Sequence, residues 1–370
     1  MFSFYNYRMS RNVYIHIPFC KQKCNYCSFI SYPELEYRTQ YLSCLKEEIQ
    51  TKYRGEALKT LYFGGGTPSI LSIDELKSII DLFNIDITTE ITLEINPETV
   101  NKEYLKNLKD IEVNRVSFGC QTFDDNILKL IGRKHTSKLA IEVIDFAKQA
   151  DFANISLDFI YGLPNQTVSL FKNDLVKAVD LGIQHISLYG LKIDEGCYFY
   201  KNRPTNLPNG DIQANMYEKA IETLTARSFE HYEISNFAKK GCESKHNLNY
   251  WDNNSYYGFG IAAHGYIDGV RYSNPTTFEE YLKNPTKPLE SKKLSIQEKL
   301  EEEIFLGLRR VSGINTSYIN EKYQIDIEKK YKPILNRYLS SGHLLKTDCG
   351  YKFSTEGVLV SNYILADFIE

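Results

Sequence analysis

The sequence predicts an α/β fold: a partial (β/α)6 barrel followed by a small, mostly helical, winged-helix-like module. Three observations predict it. From residue 12 to about 195, short β-branched and aromatic runs alternate with longer amphipathic stretches, which read as βα units around a parallel sheet. Six such units are too few for a closed eight-fold barrel and suit an open or partial one. Beyond about residue 290 the chain turns charged and helical (SIQEKLEEEIFLGLRR) and then shows a compact hairpin signal.

The strands are predicted at VYIHI (13–17), TLYF (60–63), ITLEI (91–95), NRVSF (114–118), ISLDFI (155–160) and HISLYGL (185–191). Helices are predicted between them at about 35–53, 73–83, 101–109, 137–150 and 167–181. The 73–83 helix announces its start, because Ser72 followed by Glu75 is a capping box ahead of Leu76, Ile79 and Ile80 on one face. Pro204 and Pro208 then interrupt the alternation. A helix is expected near 211–228, a strand at HYEIS, and an aromatic, Asn-rich loop at HNLNYWDNNSYYGFG. The closing hairpin turns at Cys349–Gly350 and leads into a last helix. The expected division is residues 1–235 as the core, 236–290 as a connecting segment and 291–370 as the C-terminal module. In a (β/α) arrangement ligands sit on the loops at the C-terminal ends of the strands.

Composition narrows the function. The 370 residues are 42% hydrophobic and 25% charged, which fits a folded globular chain. Lys plus Arg number 44 against 47 Asp plus Glu, a formal charge of −3, so nothing attracts this chain generally to phosphate backbones or anionic membranes. Nucleic acid is not an expected partner. No apolar run approaches the roughly 18–20 residues a membrane span needs. The start, MFSFYNYRMSRN, lacks an apolar core followed by a cleavage site, so a cytoplasmic location is expected.

Three of the eight cysteines, Cys20, Cys24 and Cys27, stand together directly after the first strand. Chance would produce C-x3-C-x2-C in such a chain roughly 0.004 times. Three thiolates on one loop can ligate three irons of a [4Fe–4S] cluster and leave the fourth without a protein ligand, an open position for a small molecule. A structural zinc held by the three thiolates and His16 is the competing reading, although no second C-x2-C supplies the usual second knuckle. Cys44, Cys120, Cys197 and Cys349 are expected to be small hydrophobes or exposed thiols.

Other residues group around strand ends. Gly64-Gly65-Gly66-Thr67-Pro68 follows the second strand, where absent side chains permit close backbone approach; an ordinary tight turn reads equally well. Glu94 ends an apolar strand, where a carboxylate is costly unless paired. Gln121, Arg133 and Asp158 also lie at or just beyond strand ends. Tyr14 and Tyr26 flank the cysteine loop, as core aromatics or as packing for a ligand. Farther on, His246, Asn247, Tyr250 and Trp251 sit in the loop that contains the only Trp, and a neutral imidazole beside aromatics can serve a haem. A structural role for this His and its aromatics is the competing reading; Cys242 is a candidate thiolate ligand in the same stretch, and His264 in GIAAHG could face the same pocket.

The C-x3-C-x2-C motif, with Tyr26 before its last Cys, resembles the radical S-adenosylmethionine (SAM) superfamily. The segments IHIPFC, YFGGGTPS, LEINPE, SFGCQTF, GRKHT, DFIYGLP and YEISNFA, in order from Tyr14 to about Trp251, are similar to the oxygen-independent coproporphyrinogen III oxidase family. The resemblance implies a radical SAM barrel with a [4Fe–4S] cluster on Cys20, Cys24 and Cys27. It further implies SAM contacts from Tyr14, Tyr26, Gly65, Gly66, Thr67, Glu94, Gln121, Arg133 and Asp158, some of them to a second SAM where two bind. H-N-x-x-Y-W resembles the signature of the family's haem-chaperone branch. Phe29, where true oxidases carry a further Cys, and the absence of their N-terminal extension point to the same branch. That implies haem as cargo, handled through His246, Asn247, Tyr250 and Trp251. It also implies haem-acceptor proteins as partners, membrane-associated ones among them, and it allows a homodimer. Oxidative decarboxylation of coproporphyrinogen III is the alternative activity.

Overall fold

The computed structural model describes residues 11–369. The first ten residues, on which the leader expectation falls, lie outside them. All six predicted strands form: β1 (Arg11–Ile17), β2 (Leu58–Gly65), β3 (Glu90–Ile95), β4 (Arg115–Gln121), β5 (Asn154–Tyr161) and β6 (His185–Gly190). Each pairs in parallel with the next. The intervening helices are α1 (Arg38–Lys52), α2 (Ile73–Ile80), α3 (Lys102–Asp110), α4 (Asp125–Leu130), α5 (Ser137–Gln149) and α6 (Val168–Asp180). The capping box at Ser72 and Glu75 is present with both of its hydrogen bonds.

Side-chain alternation explains the shape. Val13, Ile15, Ile17, Leu61, Phe63, Leu93, Val116, Phe118, Leu157, Phe159 and Ile186 are fully buried or nearly so in one core with the helices. The residues between them are Tyr14, His16, Tyr62, Thr92, Glu94, Arg115, Ser117, Ser156, Asp158, His185 and Ser187. The sheet therefore turns an apolar face to its helices and a polar face inward. Barrel interiors of this architecture are ordinarily filled with branched aliphatic side chains; this interior is polar and suited to ligand binding.

The sheet extends beyond the six strands. After α7 (Tyr198–Lys201) and α8 (Gly210–Thr225), β7 (Glu230–Glu233) and β8 (Asn236–Ala238) add antiparallel to β6 at one edge. Beyond α9 (Lys245–Trp251), β9 (Tyr256–Phe259) pairs in parallel with β1 at the other edge. β10 (His264–Ile267), β11 (Val270–Ser273) and, after α10 (Phe278–Lys283), β12 (Glu290–Lys293) continue antiparallel from it. The run expected as an Asn-rich loop is thus a helix and a strand, and residues 236–290 contribute strands and core side chains to the main sheet. The period-two signal fails at β9 because all four of its residues are buried and two faces are covered at once.

The C-terminal module has its own core, with Leu300, Ile304, Ile319, Leu335 and Leu365 at its centre. It comprises α11 (Ile296–Gly307), β13 (Ile314–Asn315), α12 (Thr316–Tyr323), α13 (Ile327–Lys330), α14 (Lys332–Ser340), β14 (Leu344–Lys346), β15 (Gly350–Phe353), α15 (Thr355–Leu359) and α16 (Ser361–Ala366). β14 and β15 are the predicted hairpin, and β13 completes a three-stranded sheet. Gly313 makes the turn into β13 with φ +74°, and a Cβ there would lie 2.0 Å from the Tyr351 carbonyl oxygen. No helix among the described residues is long and apolar enough to cross a membrane.

One buried carboxylate ties the β9 edge to the barrel. Glu48 on α1 is fully buried and accepts hydrogen bonds from Gly260 N (2.9 Å), Asn274 Nδ2 (2.7 Å), Tyr281 OH (2.7 Å) and Lys52 Nζ (2.6 Å). Truncation strands three donors in the interior. Glu48→Ala is expected to lower unfolding stability by about 3–5 kcal/mol, and isosteric Glu48→Gln by less. Urea denaturation of both variants beside wild type checks the order.

Candidate functional site

The cysteine loop leaves β1 at Pro18 and is closed at its neck by Cys20 N to Tyr32 O (3.0 Å) and Tyr32 N to Pro18 O (2.7 Å). Its tip is fastened to distant parts of the chain. Asn25 N donates to Ile131 O (3.0 Å), Asn25 Nδ2 to Leu130 O (2.9 Å), and Phe199 N to Asn25 O (2.9 Å). All eight cysteines are free thiols, and Cys20, Cys24 and Cys27 line one cleft of about 520 Å³ at the C-terminal ends of the strands. Thr67 Oγ1 lies 3.4 Å from Cys20 Sγ, and Arg133 Nη1 donates to Cys24 Sγ at 3.7 Å. Burial pushes the Cys20 thiol up and the Cys27 thiol up to about 11. Positive charge in the cleft is what would turn these thiols into thiolates, and cluster irons supply it.

The donor set fits a cluster better than a zinc. His16, the fourth ligand a zinc would need, is buried outside the cleft, with Nε2 2.9 Å from Ile30 O and Nδ1 3.1 Å from Tyr14 OH. Among the described residues no three His, Cys, Asp or Glu are gathered closely enough to hold a single metal ion. Cys20, Cys24 and Cys27 would hold the irons of a cluster, whose chemistry is electron transfer to a ligand at the open iron.

The opposite wall of the cleft carries the residues expected at strand ends. Gly65, Gly66, Thr67, Glu94, Gln121, Arg133 and Asp158 all line it, and Tyr26 lines the cleft from the cysteine loop. Gly65 has φ +109°, and a Cβ there would lie 2.5 Å from the His16 ring; one on Gly66 would lie 2.7 Å from Phe19 O. The glycines are required by close packing of β2 on the chain after β1. Glu94 Oε1 accepts from Tyr62 OH at 2.7 Å and Oε2 from Gly65 N at 3.3 Å. Asp158 Oδ1 accepts from Ser117 Oγ at 3.0 Å. Asn96, which the sequence reading passed over, joins the two walls: its Nδ2 donates to Thr67 Oγ1 (2.9 Å) and its Oδ1 accepts from Arg133 Nη2 (2.8 Å). Its position two residues after Glu94 was the available signal. Ser117, Tyr189 and Lys192 also line the cleft and carried no motif.

Burial, with Asp158 nearby, pushes Glu94 up to about 7, and burial raises Asp158 as well. Two reluctant carboxylates facing one cavity suit a cationic ligand, and SAM carries both a sulfonium and an ammonium.

Five expected positions fall elsewhere. Tyr14 does not reach the cleft; it lies deeper in the lumen, its ring 6.1 Å from that of Tyr62. His246 and Tyr250 lie one turn apart on α9, and Asn247 and Trp251 on its adjoining faces, at the floor of the barrel beneath the cleft. His246 is 1% exposed, and its Nδ1 and Nε2 lie 2.7 Å from Thr60 Oγ1 and 2.8 Å from Tyr250 OH. Burial, with Arg115 near, pushes its imidazole down to about 3. Trp251 faces the C-terminal module, with the Arg309 guanidinium 5.8 Å from its ring. The expectation of an aromatic loop is therefore corrected: the segment is helical, and its i and i+4 side chains His246 and Tyr250 turn inward together. Cys242 is half-buried, and His264 is exposed at the start of β10, away from the cleft lining.

Glu94 gives a pH signature. A carboxyl that titrates near 7 in the native chain and near 4.5 when unfolded favours folding below pH 4.5. That contribution disappears as pH rises to 7 and beyond. The ligand-free Glu94→Gln variant is expected to gain on wild type with rising pH, by on the order of 3 kcal/mol at most above pH 7. Thermal denaturation of both proteins from pH 5 to 8.5 measures this difference.

Comparison with known proteins places these features. Residues 14–178 match the model of the radical SAM superfamily. The chain is 37% identical over 368 residues to the heme chaperone HemW of Lactococcus lactis, with 97% of each chain covered. It is 36% identical to that of Bacillus subtilis over 97% of this chain and 99% of the relative. For that of Escherichia coli the identity is 31% over 97% and 98%. Among solved structures, coproporphyrinogen III oxidase (HemN) from Escherichia coli, a radical SAM enzyme, superposes with a TM-score of 0.86 over 98% of this chain and 91% of that one, at 20% identity. At that identity the likeness speaks for the fold, and the curated relatives speak for the family. The chain belongs to the HemW family of heme chaperones within the radical SAM superfamily.

Proposed function

We propose that this protein is a haem chaperone that holds a [4Fe–4S] cluster and SAM in the barrel cleft and delivers haem to acceptor proteins. The observation that carries the cofactor assignment is the convergence of three thiols and seven residues at or just beyond strand ends on one cleft. Cys20, Cys24 and Cys27 ligate the cluster, which supplies a low-potential electron and an open iron when bound. Gly65, Gly66, Thr67, Glu94, Gln121, Arg133 and Asp158 bind SAM, with Tyr26 packing from the cysteine loop. Glu94 and Asp158 meet its cationic groups, and Arg133 and Asn96 fix the wall behind Thr67. Kinship with the heme chaperones along nearly the whole chain supports haem as the cargo.

Phe29 stands immediately beyond the cluster loop and is 68% exposed at the cleft mouth. It offers haem an apolar surface where a further cysteine would favour oxidase chemistry. The acceptors include membrane-associated haem proteins, the chaperone works in the cytoplasm, and two copies can pair.

The test is an anaerobic incubation of cluster-reconstituted protein with SAM, reductant and coproporphyrinogen III, with haem titrated on the same sample. Unchanged porphyrinogen and stoichiometric haem binding are expected. Loss of two carboxylates from the porphyrinogen would make the protein an oxidase. In parallel, Cys24→Ala is expected to lose the cluster absorbance near about 410 nm and its iron.

A further inference from the structure

The α9 helix touches the cleft only through other residues, and the path is short. The His246 imidazole stacks on the Tyr62 ring, with centroids 4.9 Å apart and planes 24° apart. Tyr14 closes a triangle with them, its ring 6.1 Å from that of Tyr62 and 6.4 Å from that of His246. The Tyr62 hydroxyl reaches up to Glu94 Oε1 at 2.7 Å. Space around that hydrogen bond is tight: a Cβ on Gly64 would lie 3.0 Å from both tyrosine rings and 3.1 Å from Glu94 Oε1. We infer that His246 and Tyr62 are positioning residues for Glu94: the imidazole braces the Tyr62 ring, whose hydroxyl holds the carboxylate toward the ligand from below. The inference rests on the reading above that Glu94 binds SAM.

The hydrogen-bond directions define the imidazole. Asn12 spends its amide on Asn249 Oδ1 (2.6 Å), so its own Oδ1 accepts from Thr60 Oγ1 (3.0 Å). With its proton so used, Thr60 Oγ1 accepts from His246 Nδ1–H, which leaves Nε2 to accept from Tyr250 OH. The ring is neutral, one nitrogen protonated and the other's lone pair engaged. Neither is open to an iron. Below it, Glu90 receives the backbone N–H groups of Lys245 and His246, a carboxylate at the start of α9 that fixes the helix to β3.

Every group facing Glu94 belongs to this lumen: Tyr14 on β1, Tyr62 on β2, Arg115 on β4, Asp158 on β5, Tyr189 on β6 and Tyr250 on α9. Burial and Asp158 hold the carboxyl protonated, whereas the Tyr62 hydroxyl, Gly65 N–H and Arg115 favour its ionised form. Removing the phenol hydroxyl makes Glu94 harder to ionise, so its binding to a cation sets in at higher pH.

The experiment measures uptake of radiolabelled SAM by equilibrium dialysis on the cluster-reconstituted full chain from pH 6 to 9, with a haem titration on each sample. In wild type, affinity is expected to rise with pH around 7. Tyr62→Phe keeps the stack and loses the donor. Its midpoint is expected about one pH unit higher, with SAM bound roughly five-fold more weakly at pH 7. His246→Ala is expected to shift the profile in the same direction by less, and His246→Asn, which restores the donor to Thr60, to recover part of it. Haem stoichiometry is expected to stay unchanged in all three. Tyr62→Phe is close to isosteric and decides alone if His246→Ala fails to fold. Unshifted profiles in the variants beside a pH-dependent wild type overturn the inference, and so does loss of haem from His246→Ala with its SAM profile intact. Wild type that takes up no SAM at any pH removes the reading of Glu94 and the inference with it.

Discussion

A polar barrel interior is sustainable only if every group in it finds a partner, and the rest of this structure follows from that requirement. Strand alternation places Glu94, Asp158, Arg115, His185 and a series of hydroxyls on the inner face, with Arg115 and His185 buried and Glu94 and Asp158 half-buried. Leaving any one unpaired costs about 1–3 kcal/mol, and more for a charge. At the floor the partners are protein: α9 enters beneath the strands, Glu90 holds its first turn, and His246 engages Thr60 and Tyr250. At the top the lumen opens into the cleft, where Glu94 and Asp158 keep raised proton affinities and too few cations. Floor and mouth thus have opposite roles. One is satisfied by the fold around His246, although Thr92 Oγ1 and Arg115 Nε are buried without a hydrogen-bond partner among the described residues, and the other is left for a ligand.

Strands β7 and β8 continue the sheet from β6, and β9 to β12 continue it from β1, so that two neighbouring stretches of the chain extend its opposite edges. Glu48 is the counterpart of Glu94 on the outer side of the sheet. It is a fully buried carboxylate, but four donors surround it and nothing is left to bind. Glu94 is half-buried with two donors, so the two acids have different fates, decided by how many donors the fold supplies and by access to the cleft.

Much of this was legible in the sequence. The six strands and their helices follow from hydrophobic periodicity and from caps such as Ser72 with Glu75, because local signals and tertiary burial agree there. The cleft residues were legible from their positions at strand ends and from family resemblance. What escaped reading depends on contacts distant in sequence. β9 has no alternation because it is covered on both faces, and α9 is seven residues long with its polar side chains directed into the protein. A short segment of His, Asn and Tyr reads as a loop until one knows that Thr60, Glu90 and Tyr62 wait for it, some 150 residues or more away. Tyr14 flanks the cysteine loop in sequence, and its side chain packs in the lumen beside Tyr62 and His246, a contact that only the folded chain shows.

The two walls of the cleft are also mechanically one unit. Arg133 touches Cys24 on the cluster side, and through Asn96 it reaches Thr67 on the SAM side. It also donates to the Gly119 carbonyl, at the point where β4 bulges before Gln121. A guanidinium holds its donors in a rigid plane, so it cannot follow one partner without disturbing the others. Any change in charge on the Cys24 sulfur, such as accompanies metal binding or reduction, alters its pull on Arg133. That pull acts on Asn96 and Thr67, and Thr67 in turn lies against Cys20. The cysteine loop and the loop after β2 are therefore held to one another through side chains, independently of any ligand between them.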